Sequence, residues 1–287
     1  MVDRIVTSVS ERRRTIVDVI RGARREISLS LFRCNDDEVL DELAAATARG
    51  VDVNVLVTSR VKGGAKKIKK LWKALERTGA SVHAFSDPVV KYHAKYLVAD
   101  DGPAIVASCN FTRKCFDQTC DAIVVTYDPA VVDGLRKLMK ADREGVPAPT
   151  SITSRLVIGP ERARLQLTAL VTGAKSRVQL IDAKLSDPDM VSRLEILRSF
   201  GLKVDVYTTK RLGELKSHGK IMLLDGRTAV VGSLALAALS LDLRREVAIV
   251  VDEPSAVAEV EQLFQTIGAT PVAGRITAGE ASPEAMC

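Results

Sequence analysis

The 287-residue chain has room for two domain-sized units, and 46% hydrophobic content supplies a core, so it reads as globular. It lacks both the apolar run of a secretory signal and the roughly 20 continuous apolar residues that span a bilayer, so a soluble, cytoplasmic protein is expected. A net charge of +6 and a pI near 9.1 favour an anionic partner, nucleic acid or an acidic membrane surface, whereas 4% aromatic content leaves little for base-stacking platforms.

Five cysteines (Cys34, Cys109, Cys115, Cys120, Cys287) show no CxxC spacing. They read as reduced thiols, and neither a disulfide framework nor a metal site is expected. The first predicted helix opens at Ser8 with Glu11 three residues on, a capping-box pattern. ISLSLF and VDVNVLV are β-rich runs flanking a second helix that ends at Gly50.

AKKIKKLWKALER, residues 65–77, then places Ile68, Leu71, Trp72 and Leu75 on one helical face. Lys66, Lys67, Lys69, Lys70 and Lys73 cover much of the rest, a basic face that fits plain solvation or contact with an anion. His83 follows in no recognisable pattern and is assigned no role.

Residues 91–112, KYHAKYLVADDGPAIVASCNFT, read as a hairpin with Asp101-Gly102 at its tip. That tip sets His93 opposite Asn110 and Lys95 opposite Ser108, with His93 and Lys95 about 7 Å apart on one face. Asp100 lies roughly 23 Å along the strand from His93, so it is expected to tie down backbone near the tip. A further strand and helix complete the unit, and the Pro-rich DREGVPAPTSITS, 142–154, reads as a linker.

The unit is then repeated. Gly22 and Gly50 recur at Gly173 and Gly201, 151 residues on; His93 and Pro129 recur at His218 and Pro254, 125 on. The second copy is therefore 26 residues shorter, the loss falling between its GLKVDVY strand and His218. Gly226-Arg227 is the matching tip, setting His218 opposite Ala235 and Lys220 opposite Ser233, with Asp225 in the place of Asp100. The expected architecture is α/β, two repeats (1–145 and 155–271), each a mixed sheet flanked by helices, with a frayed tail over 272–287.

One HxK on a strand carries little meaning, but two copies of HxKx4D with serine at the same downstream spacing do. HAKYLVAD…ASCN and HGKIMLLD…GSLA resemble the phospholipase D superfamily, whose signature is HxKx4Dx6GSxN; Ala107 replaces its glycine and Ala235 its asparagine. The resemblance implies two repeats about a pseudo-twofold axis, one shared cleft complete in a monomer, and two-step phosphodiester cleavage without metal or cofactor. It assigns His93 as nucleophile and His218 as acid/base, an order that symmetry permits to be reversed. Lys95 and Lys220 supply charge, and Ser108, Ser233 and Asn110 supply donors to phosphoryl oxygens. Asp121 and Glu246 match the acids that orient the histidines. The superfamily includes phospholipases, phosphatidyl-transferring synthases such as cardiolipin synthase, and nucleases. The basic helix inclines the reading slightly toward nucleic acid, with phospholipid at an anionic membrane surface, or a degenerate phosphate-binding module, as alternatives.

Overall fold

The computed structural model describes residues 2–59 and 64–268. Cys287 and the tail expected from Val272 lie outside those residues. Two seven-stranded mixed sheets form the frame. The first runs in the order Arg4–Val6, Ile123–Thr126, Ala104–Ala107, Tyr96–Ala99, Glu26–Leu31, Asp52–Thr58, Ser81–Phe85. The second runs Leu156–Gly159, Arg244–Val251, Thr228–Gly232, Lys220–Leu224, Arg177–Ile181, Lys203–Tyr207, and takes Lys91–Tyr92 from the first half as its seventh strand.

Each repeat contains a short strand before its first helix, Arg4–Val6 and Leu156–Gly159, that is too brief to show a period-2 pattern in the sequence. The 26-residue difference is the lysine helix Ala65–Glu76 together with the parallel strand Ser81–Phe85. In its place the second repeat has a small hairpin, Arg211–Leu212 with Leu215–Ser217.

Apolar side chains sort the layers. Ile16, Val39, Leu43, Leu71 and Leu75 pack three helices on the outer face of the first sheet, and Leu167, Val171, Met190 and Leu194 do the same on the second. Between the sheets lies a joint core that includes helices Pro129–Glu144 and Pro254–Gly268, through Val131, Leu135, Val257 and Phe264. Helix Pro129–Glu144 continues through the first three residues of the expected linker and ends at Gly145, whose φ of 68° favours glycine. Asp142 is thus a buried helical residue that accepts from Arg245 Nε at 2.7 Å, tying the halves together.

Two local expectations are corrected. Ser8 is the N-cap of helix Val9–Gly22, but its side chain makes no cap hydrogen bond and lies 2.9 Å from Ser10 Oγ, so the capping box does not form. The hairpin registers are one residue off. Tyr96 pairs with Val106 and Lys220 with Gly232, so each tip has three residues rather than two.

The cause is the aspartate beginning each tip. Asp100 (φ 45°) and Asp225 (φ 53°) adopt the left-handed region. There the Asp100 carboxylate accepts the backbone N–H of Arg24, Arg25 and Glu26 at 2.8–3.0 Å. Asp225 accepts those of Lys175, Ser176 and Arg177 at 2.8–3.1 Å. These bonds keep both aspartates far from their own histidines and, as expected, tie down backbone near the tips, here at the start of strands Glu26–Leu31 and Arg177–Ile181.

Two tests follow from this packing. The Asp225 carboxylate is held down to about 2, its backbone hydrogen bonds outweighing burial. A depressed pKa stabilises the fold above the ordinary value and the effect fades as pH falls toward about 2. Asp225→Asn should therefore lower the urea midpoint at neutral pH, and the gap from wild type should narrow on acidification. A Cβ at Gly232 would stand 2.3 Å from the Val247 carbonyl oxygen, although buried Ala107 occupies the equivalent place in the first repeat. Gly232→Ala should cost about 1–3 kcal/mol in urea unfolding.

Candidate active site

The two HxK segments leave their own hairpins before they reach the histidines. Lys91–Tyr92 pairs in parallel with Arg244 and Arg245 of the second repeat, and His93 N–H donates to Arg245 O at 2.9 Å. Leu215–Ser217 correspondingly pairs with Thr119–Cys120 of the first repeat, and Gly219 N–H donates to Cys120 O at 2.8 Å. Each histidine therefore emerges beside the strand that carries the acid of the other repeat.

The acids are consequently exchanged. His93 Nδ1 lies 2.9 Å from Glu246 Oε2, and His218 Nδ1 lies 3.1 Å from both oxygens of Asp121. Both carboxylates are buried, whereas the rings keep 14% and 28% of their side-chain surface exposed. A carboxylate on Nδ1 fixes the tautomer and leaves Nε2 for chemistry.

Lys95 is wholly buried and its Nζ lies 3.2 and 3.3 Å from the ring nitrogens of His93. Lys220 Nζ donates to the His218 carbonyl. Burial lowers His93 to about 3, with Lys95 and Lys220 pushing the same way against Glu246. His218 also lies below its ordinary value; Asp121 raises it, but burial, Lys220 and Lys95 together outweigh that. Burial, reinforced by Lys220, lowers Lys95 to about 7. Asp121 and Glu246 are each held down to about 2, because His218 and His93 respectively overcome the upward push of burial.

The two motifs thus act on one another electrostatically across a cleft to which Lys95 and Lys220 both contribute. Such a cleft suits an anion, and a neutral His93 with an oriented Nδ1–H can act as a nucleophile. Cys115, Asp121 and His218 bring possible ligand atoms within 4.8 Å of one another. His218 Nδ1 is already bonded to Asp121, however, and Arg12 Nη1 lies 3.9 Å from that carboxylate, a setting that disfavours a cation.

The register shift redirects the expected phosphate donors. Lys95 lies opposite Ala107, not Ser108, with Ala107 N–H bonded to its carbonyl at 3.0 Å, and Lys220 lies opposite Gly232, not Ser233. Nor does His93 face Asn110, or His218 Ala235, because both histidine segments have crossed to the other repeat's strands. Ser108 Oγ donates to Asp121 at 2.6 Å and Ser233 Oγ to the Val247 carbonyl at 3.3 Å, so both buried hydroxyls brace the acid-bearing strands. Asn110 is buried, and its Oδ1 has no partner.

Several neighbours escaped the sequence reading. Phe32 meets the His93 ring edge-on at 4.6 Å. Ser240 Oγ donates to Glu246 at 2.8 Å. Buried Asp182 accepts the N–H of Leu236 and Lys184, and its carboxyl is raised by burial against the pull of Lys220. Lys184 itself is lowered by burial, then by Lys220 and Arg244. Arg33 lies over the Phe32 ring at 5.2 Å and stands 151 residues before Lys184, so the repeat alone could have flagged the pair.

The lysines of helix Ala65–Glu76 are exposed, Leu71 and Leu75 are buried, and Ile68 and Trp72 are half-buried. In the chain the helix comes after strand Asp52–Thr58, whose C-terminal end lies beside that of Glu26–Leu31, next to Phe32. His83 lies away from the cleft, its Nε2 3.3 Å from Asn54 Oδ1, in an open groove with Glu26, Arg136 and Arg143. Among the described residues, no helix is long and apolar enough to cross a membrane.

Two pseudo-twofold repeats that exchange acids around a doubled HxK motif define a mixed α/β protein with two histidine–carboxylate pairs at one cleft. Comparison agrees: the family model described as "Cardiolipin synthase, PLD-like domain" matches residues 16–143 and 169–267, and the chain belongs to that family. Cardiolipin synthase A of Pseudomonas aeruginosa is 28% identical over 127 residues, 44% of this chain and 26% of that protein. The match thus spans about a quarter of the relative's length.

Polyphosphate kinase from Porphyromonas gingivalis has the same fold (TM-score 0.71, 18% identity, 92% of this chain and 50% of that chain). So does phosphatidylserine synthase from Haemophilus influenzae (TM-score 0.70, 13% identity, 92% and 86%).

An anion entering the cleft restores full charge to Lys95, so binding should take up protons. Inorganic vanadate should bind more weakly as pH rises above about 7. Calorimetry in buffers of different ionisation enthalpy should show proton uptake that Lys95→Met removes.

Proposed function

We propose that this chain cleaves or transfers the phosphodiester of a phospholipid through a covalent phosphohistidine. The crossed pair of carboxylate–imidazole contacts carries this reading, since it presents two oriented Nε2 atoms to one cation-rich cleft. His93, held neutral by burial, attacks phosphorus; the P–N bond forms as the bond to the leaving oxygen breaks. His218 gives its proton to that oxygen, then takes one from an incoming alcohol or water as the new P–O bond forms and the P–N bond breaks. Lys95 and Lys220 balance charge on the phosphoryl oxygens.

The family description and the named relative support phospholipid over the nucleic acid toward which the basic helix inclined the sequence. The surface agrees with that choice. Val89, Leu239 and Leu243 are exposed apolar residues, and pairing of Lys91 with Arg244 brings their two segments together beside the cleft. Exposed Lys66, Lys67, Lys69, Lys70 and Lys73 complement anionic headgroups.

Phosphatidylglycerol vesicles and plasmid DNA, assayed side by side in EDTA, test the reading. Lipid turnover with intact plasmid is expected, and His218→Ala should lower it about 100- to 10,000-fold. Rapid quenching in neutral denaturing detergent with acyl-labelled lipid should trap label on His93; label on His218 would reverse the two roles. Nicked plasmid with intact lipid would favour nucleic acid, and inertness to both with tight vanadate binding would favour a binding module.

A further inference from the structure

Helix Val9–Gly22 carries a cation into the interior: Arg12 is wholly buried. Its Nη2 donates to the carbonyls of Phe116 at 3.3 Å and Thr119 at 2.8 Å. Its Nη1 lies 3.9 Å from Asp121 Oδ2, and neither Nε nor Nη1 has a hydrogen-bond partner. A buried guanidinium left partly unsatisfied is costly. Its charge faces the carboxylate that holds His218.

The second repeat lacks this arrangement. The residue 151 positions on from Arg12 is Ala163, also buried, so no helix-borne cation stands in the equivalent place behind Glu246. Glu246 instead meets His93, Ser240 and, at 4.0 Å, Arg244. The two dyads therefore differ in the cation at the carboxylate: wholly buried Arg12 behind Asp121, part-exposed Arg244 beside Glu246.

We propose that Arg12 is a positioning residue that shares the charge of Asp121 from behind and so loosens that carboxylate's hold on the His218 proton. Asp121 also accepts from Ser108 Oγ at 2.6 Å and from Thr119 Oγ1, which fixes its orientation while Arg12 and His218 divide its charge. A carboxylate so divided holds an imidazolium proton less tightly. Lys220 and Lys95 act on His218 from the cleft, and Cys115 lies beside it; Cys109 and Cys120 feel the Asp121 charge from the flanking segments. Arg12 is the cation that reaches the dyad from helix Val9–Gly22. The inference rests on the proposed acid/base role of His218.

The chain has three histidines, so each imidazole can be followed separately by NMR titration. Arg12→Gln keeps a donor for the two carbonyls but removes the charge. It should raise the His218 midpoint by about 1 pH unit and leave His83 and His93 in place. Arg12→Lys draws the charge back by about one bond length and should fall between wild type and Arg12→Gln.

An unchanged His218 midpoint in Arg12→Gln, or an equal movement of His93, would overturn the proposal. If Arg12→Gln does not fold, Arg12→Lys carries the test, and a midpoint no higher than wild type overturns it. Wild type inert toward lipid and DNA would overturn the functional reading alone, because the titration needs no turnover.

Discussion

Exchange of one short strand in each direction governs this molecule. Lys91–Tyr92 and Leu215–Ser217 are too short to be stable alone, yet each docks in parallel on the strand of the other repeat that leads into its acid. Neither repeat owns a complete imidazole–carboxylate pair. Docking of the halves, supported by the joint core and the Arg245–Asp142 contact, is therefore what sets the tautomer of both histidines. Close approach at these crossings also limits residue choice: a Cβ at Gly219 would stand 2.7 Å from the Cys120 carbonyl oxygen.

The cleft so formed crowds like charges against one another. Two buried lysines face two half-buried imidazoles, and the two carboxylates are turned toward the ring nitrogens rather than toward the lysines' open side. Burial and mutual repulsion drive His93 and Lys95 toward their neutral forms. A bound anion opposes that repulsion. Residues that break the ordinary rules of core composition cluster at this one place, as expected where stability is traded for function.

The same fold serves proteins named as a kinase and as a lipid synthase, so the frame says little about substrate. Specificity has to come from what surrounds the centre. Here the repeats diverge most: the first has the lysine helix and Phe32 against its histidine, the second a small hairpin and the Lys184–Arg244 cationic side. Near-symmetry at the two histidines thus coexists with strong asymmetry at the rim.

By itself the sequence determined the doubled HxK motif, the mixed α/β repeats and the site of the 26-residue difference, since each is written as a residue type at a fixed spacing, while the two acids came from the family resemblance. Backbone anchoring by Asp100 and Asp225 was also legible, because distance along a strand forbids them to reach their histidines. Only the tertiary structure decided which acid serves which histidine, why each hairpin tip has three residues, and that Ser108 and Ser233 brace strands. It also brought Arg12 behind Asp121, more than a hundred residues away. Pairing between such distant segments leaves no local period in a chain, and a turn shifts by one residue when a carboxylate finds three backbone donors across the sheet.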